Sequence, residues 1–150
     1  MGKSHYTHGG GVNHLCLPLD PESPSNVQSG FQSKSYIYGV EYQSRFPGLL
    51  NQDAPCAVCE VQGRSAVLMI PAKQTCPAGW TLEYEGLLTS DYHTHKGTDF
   101  ICVSSDPEAA DGGHANQDGG LLYVVEAQCG SLPCPPYVSG HELSCVVCTK

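Results

Sequence analysis

Apolar residues along this chain come in short bursts, not in a stripe of helical period. Runs rich in Val, Ile, Leu and Tyr occupy 36–42, 65–70, 81–88, 100–103, 121–126 and 143–149, bounded by Gly, Pro or polar clusters. Their β-branched and aromatic content predicts six strands. No stretch free of both Gly and Pro exceeds ten residues. Pro removes a backbone donor and Gly adds entropy, so a helix of average length has no room. Asp118-Gly119 ahead of Leu121 is a hairpin-type turn signal. The polar stretches 20–35 and 104–119 predict long loops, which in a compact domain often carry function. No apolar run approaches the ~20 residues of a membrane helix, so no membrane insertion is expected.

The chain also repeats itself. Ser4-His-Tyr-Thr-His8 returns, with one insertion, as Ser90-Asp-Tyr-His-Thr-His95. Each string leads over 12 residues to a cysteine, Cys16 or Cys102, and then to Asp20-Pro21-Glu22 or Asp106-Pro107-Glu108. Each half next carries a strand-like run containing Glu41 or Glu126. Each closes on Cys-x-Val-Cys, Cys56–Cys59 or Cys145–Cys148. Four features in one order at near-equal spacing read as a tandem duplication. The expected fold is mainly β: one disulfide-rich domain, 1–150, of two tandem units related by a pseudo-twofold. Unit one is 4–73, N-terminally truncated, and unit two is 74–150. Tyr38 should match Tyr123, and Glu41 should match Glu126. The segment from Thr75 to Leu88, with Cys76, has no counterpart in unit one, which offers a reason for the odd number of cysteines; the alternative is a leftover thiol that pairs between chains. Cys129 and Cys134 are expected to pair, leaving the unpaired thiol among Cys16, Cys56 and Cys59.

Composition narrows the partners. The 150 residues carry a formal charge of −8, with 17 Gly, 11 Pro and 9 Cys. That field repels phosphate, so nucleic acid and anionic membrane are not expected. So many cysteines in a Lys-poor, Gly-rich chain point to an oxidised, secreted, extracellular protein. The opening Met-Gly-Lys-Ser-His-Tyr carries no apolar signal core, and the reading is of a secreted chain whose signal has been removed. The two Cys-x-x-Cys pairs allow a zinc reading, but each closes a repeat unit and structural disulfides account for more of the cysteines.

The richest candidate chemistry is the loop 106–118. Ca²⁺ takes six to eight oxygens from carboxylates, amides and carbonyls on a bendable loop. Asp111, Asn116 and Asp118 are the first ligand candidates, with Asp106 and Glu108 behind them. No Lys or Arg lies between Lys96 and Lys150 to compete. The same residues are also ordinary turn chemistry. His95, His114 and Gln117 are candidate hydrogen-bond donors to sugar hydroxyls. Trp80 is a candidate stacking surface, though a lone Trp beside a disulfide is more often core, and Tyr84, Tyr92, Tyr123 and Tyr137 are second-rank candidates. No Gly-x-Ser-x-Gly elbow occurs. Glu41 and Glu126 hold matched repeat positions, which reads as structural, so no enzyme is expected.

Together these residues resemble the globular non-collagenous domain of short-chain, spongin-type collagens of marine invertebrates. The strings that carry the resemblance are Ser-His-Tyr-Thr-His-Gly-Gly-Gly-Val-Asn-His-Leu-Cys-Leu-Pro (4–18), Tyr-Gly-Val-Glu-Tyr (38–42), Pro-Cys-Ala-Val-Cys (55–59), Ala-Val-Leu-Met-Ile-Pro-Ala-Lys (66–73), Val-Glu-Ala-Gln-Cys (125–129), Cys-Pro-Pro-Tyr (134–137) and Cys-Val-Val-Cys-Thr-Lys (145–150). The chain is similar, too, to a related calcium-dependent, galactose-binding lectin of sea anemones. No Gly-X-Y repeat is present, which favours a soluble binding module over a fibre. The resemblance implies a non-enzymatic lectin with Ca²⁺ as cofactor, galactose-containing glycans as partners, and a homodimer. The alternative it implies is a structural or assembly domain of the extracellular matrix with no sugar site.

Overall fold

The computed structural model describes residues 1–27, 30 and 34–150. Part of the expected loop 20–35 therefore lies outside the described residues. The strands are β1 (Gly2–Lys3), β2 (Tyr38–Tyr42), β3 (Val67–Pro71), β4 (Thr81–Ser90), β5 (Ile101–Ser104), β6 (Gly120–Val124) and β7 (Ser144–Thr149). Among the described residues there is no helix, so none is long and apolar enough to cross a membrane. β2 to β7 fall on the six predicted runs, with ends displaced by one or two residues. β1 was not predicted, because two residues are too few to show a period.

The sheet order is β1-β2-β6-β4-β7-β3, with β5 on β4. β2 and β6 run parallel, and the other pairs are antiparallel. Gly86 and Leu87 of β4 pair with β5 and also with β7. A residue has two hydrogen-bonding edges, so β5 and β7 lie on opposite sides of β4. In a flat sheet those flanking strands would be about 9–10 Å apart. Yet Cys102 of β5 and Cys145 of β7 form a disulfide with their Cα atoms 5.7 Å apart. The sheet must curl sharply here, and it closes into a half-barrel. Gly86 lies at the tightest point: a Cβ there would stand 1.7 Å from the Val103 carbonyl oxygen.

Curling gives the sheet an inside. Val40, Tyr42, Phe46, Ala54, Val103 and Leu122 form one buried cluster. Leu88, Cys102 and Cys145 form a second, with Met69, Val125, Leu143 and Val147 against it. Three further disulfides, Cys16–Cys56, Cys76–Cys148 and Cys129–Cys134, pin the loops. Cys129 and Cys134 pair as expected, and Cys59 is free and exposed. Four disulfides fit an oxidising, extracellular environment.

Positions matched by the sequence repeat share local structure. Tyr38 lies in β2 and Tyr123 in β6. Glu41 forms an isolated antiparallel bridge to Asp53, and Glu126 forms one to Glu142. The disulfides Cys16–Cys56 and Cys102–Cys145 join matched cysteines. Cys148 is bonded to Cys76, whereas its match, Cys59, is free.

Candidate functional site

Strand pairing brings the two repeated strings to one place. β1 ends at Lys3, just before the first string, and β4 ends at Ser90, the first residue of the second. Lys3 of β1 pairs with Tyr38 of β2, Ser90 of β4 pairs with Tyr123 of β6, and β2 lies beside β6. A cluster of aromatic rings results. The ring centroids of Tyr6 and His95 are 4.6 Å apart, and His5 lies 4.6 Å from Tyr6 and 5.0 Å from Tyr38. Tyr92 lies 5.1 Å from Tyr123 and 5.5 Å from His95. Tyr92 and His93 are exposed, and His5, Tyr6, His95 and Tyr123 are half-buried. Such a surface offers apolar ring faces with polar edges.

A buried ion pair holds this surface from beneath. Lys3 is 1% exposed. Its ammonium donates to Asp91 Oδ2 at 2.8 Å and to the Leu121 carbonyl at 2.8 Å, with Thr98 Oγ1 at 3.5 Å. Gly120 makes the room, since a Cβ there would stand 2.4 Å from Lys3 Cγ. Burial lowers the Lys3 pKa, and the hydrogen bond and charge of Asp91 oppose that shift. The other oxygen of Asp91, Oδ1, accepts the Tyr92 N–H at 3.0 Å and lies 2.6 Å from His95 Nδ1. An ionised carboxylate only accepts, so Nδ1 carries the proton and the ring orientation is fixed. Desolvation raises the Tyr123 pKa, assisted by Asp91 and Asp118. Desolvation lowers that of His5, with His8 adding to the shift and Asp118 and Asp91 opposing it.

His14 borders the same ion pair. Both its ring nitrogens are buried without a partner. Desolvation first, and Lys3 second, push its pKa down to about 4 from 6.5. The unfolded chain therefore binds this proton more readily than the folded one. Stability from this group is complete above pH 6.5 and is lost as pH falls toward 4. The urea midpoint should drop between pH 7 and pH 5 in the native chain, and drop less in His14→Leu. Equal drops would remove His14 as the cause.

The loop residues chosen from sequence are spread out. Asp106, Glu108, Asp111, Asn116 and Asp118 are all exposed. Among the described residues no group of three or more His, Cys, Asp or Glu is placed to hold a metal ion. Asp106 and Glu108 border an open groove of about 390 Å³ beside Tyr42, Ala57 and Tyr84. Asp118, at φ 52°, lies toward the ring cluster, where its charge acts on His5 and Tyr123. The Tyr6 N–H donates to the carbonyl of the next residue, Gly119, at 3.2 Å. Gln117 donates its backbone N–H to Glu41 Oε1 at 2.8 Å. His114 Nδ1 is hydrogen-bonded to Gln52 Oε1. Of the three proposed sugar donors, His95 alone lies in the ring cluster.

Sequence reasoning passed over Tyr6, Lys3 and Asp91. The repeated strings were the available signal for Tyr6 and Asp91. Lys3 had none, since a lysine in a polar N-terminal stretch reads as solvated. No family model matches the chain, and no solved structure matches it significantly.

Proposed function

We propose that this protein is a secreted, non-enzymatic lectin that binds galactose-type glycans in a Ca²⁺-dependent manner. The observation that carries the reading is the ring cluster of Tyr6, His95, Tyr92 and Tyr123, seated on the buried Lys3–Asp91 pair. Ring-to-ring contacts and the Asp91–His95 hydrogen bond restrain these side chains, which lowers the entropic cost of binding. Asp118 and Gly119 reach the same cluster from the oxygen-rich loop. That supports a sugar held between rings and a calcium-bearing loop, as the resemblance to the sea-anemone lectin implies. The matched disulfides and bridges support a pseudo-twofold relation between the two units, which superposition of 4–59 on 90–148 tests.

A monosaccharide contacting one ion and a few donors should bind at ~0.1–1 mM, or ~4–5.5 kcal/mol. Useful avidity then needs two sites per particle, which favours a homodimer. Calorimetry with galactose, with and without a chelator, tests the reading. Heat only without chelator is expected, and equal heats in both would remove calcium from the mechanism.

A second reading, an assembly domain of the extracellular matrix, has its own observation. The segment 55–60 is exposed, Val58 being 87% accessible. Its repeat counterpart lies in β7, between β3 and β4. An absence of heat in either calorimetric condition would favour this reading.

A further inference from the structure

The oxygen-rich loop covers two carboxylates that come from elsewhere in the chain. Glu41 of β2 faces Asp53 in an isolated antiparallel bridge. The Tyr42 N–H donates to the Gln52 carbonyl at 3.0 Å, and the Ala54 N–H donates to the Val40 carbonyl at 2.7 Å. These bonds flank the Glu41–Asp53 pair, making it the closer, non-hydrogen-bonded kind, with Cα atoms ~4.5 Å apart and side chains on one face. Like charges directly opposite one another are destabilising. Among the described residues no salt bridge involves either carboxylate.

Glu41 is 2% exposed. Its Oε1 accepts the Gln117 N–H, and its Oε2 is buried with no partner. An ionised oxygen buried this way costs several kcal/mol unless its charge is met by a cation or neutralised. The loop is fixed over the pair. The Asp53 N–H donates to the Gly113 carbonyl at 3.0 Å, and the Ala110 N–H to the Asp53 carbonyl at 2.9 Å. A Cβ on Gly113 would stand 2.6 Å from Asp53 Oδ2. The positive or titratable groups nearby are the Met1 ammonium, on which Asp53 acts, and His114, bonded to Gln52.

We propose that Glu41 and Asp53 form a divalent-cation site of the calcium type, completed by carbonyl and amide oxygens of the loop 110–118. An oxygen-only donor set with two carboxylates suits a hard ion and disfavours zinc. This deepens the calcium half of the proposed function and moves the first ligands from Asp111, Asn116 and Asp118 to Glu41 and Asp53. Sequence had read Glu41 as a structural repeat position. Its orphan oxygen is what changes that reading.

The test titrates the whole protein with CaCl₂ alone, by calorimetry, and follows the Ca²⁺-dependent rise in melting temperature. One ion per chain is expected. Glu41→Gln keeps an acceptor for the Gln117 N–H but loses the charge, and should weaken Ca²⁺ at least tenfold and shrink the melting shift. Asp53→Asn should do the same and decides the matter if Glu41→Gln does not fold. Glu22→Gln, at an exposed carboxylate given no part in the site, should bind as the native chain does. No Ca²⁺ binding by the native protein, or native affinity in the folded variants, would overturn the site. Galactose is added only afterwards. Calcium binding without sugar binding leaves this site standing and removes the lectin reading, while sugar binding without calcium does the reverse.

Discussion

Lys3→Ala should cost about 3–5 kcal/mol of folding stability, the usual penalty for leaving one member of a buried ion pair uncompensated. That is a large share of the ~5–15 kcal/mol that holds a domain folded. The reason is geometric. Lys3 and Asp91 have side chains 0% and 2% exposed, with the ammonium 2.8 Å from the carboxylate. Removing the cation leaves Asp91 with the Tyr92 N–H and His95 as its remaining partners. The paired change Lys3→Met with Asp91→Leu should cost less than the sum of its parts, since no charge remains stranded. Urea denaturation of the single and double variants measures the coupling. A loss below ~1 kcal/mol in Lys3→Ala would mean that the pair behaves as a surface bridge. On the proposed lectin reading, folded single variants should also bind galactose more weakly, because Asp91 orients His95.

Removing the Cys102–Cys145 bridge should cost a comparable amount. Its cysteines are 43 residues apart in sequence, for which loop-closure entropy alone gives about 4 kcal/mol. The bridge also holds β5 over β4, where the sheet curls most tightly. The double Ala variant avoids burying two unpartnered hydroxyls, and its melting temperature should fall well below that of the native protein. The same change at Cys129 and Cys134, only 5 residues apart, should cost roughly 2 kcal/mol. If the two losses are equal, loop constraint does not govern stability here. The comparison also bears on function, since β4 and β5 bracket the Ser90–His95 string. Opening the curl should loosen the ring cluster before the rest of the sheet.

The strands, the Cys129–Cys134 bridge and the set holding the free thiol were legible in the sequence. A strand shows itself locally, through β-branched runs cut off by Gly and Pro, so β2 to β7 could be placed without a structure. Cys129 and Cys134 are close enough in sequence to find each other. The unpaired thiol was expected among Cys16, Cys56 and Cys59, and Cys59 is the one left free. Only the tertiary structure decided what meets across the sheet. The curl at Gly86 and the parallel pairing of β2 with β6 set two distant His-Tyr strings side by side. They also bury a lysine that composition would place in water. Glu41 and Asp53 belong to separate segments, 12 residues apart, and face one another through a two-bond bridge that leaves no periodic signal. Ligand patterns confined to one loop can be read from spacing. A site assembled from a strand, a bridge and a draped loop depends on register, and register is fixed only when the whole sheet closes.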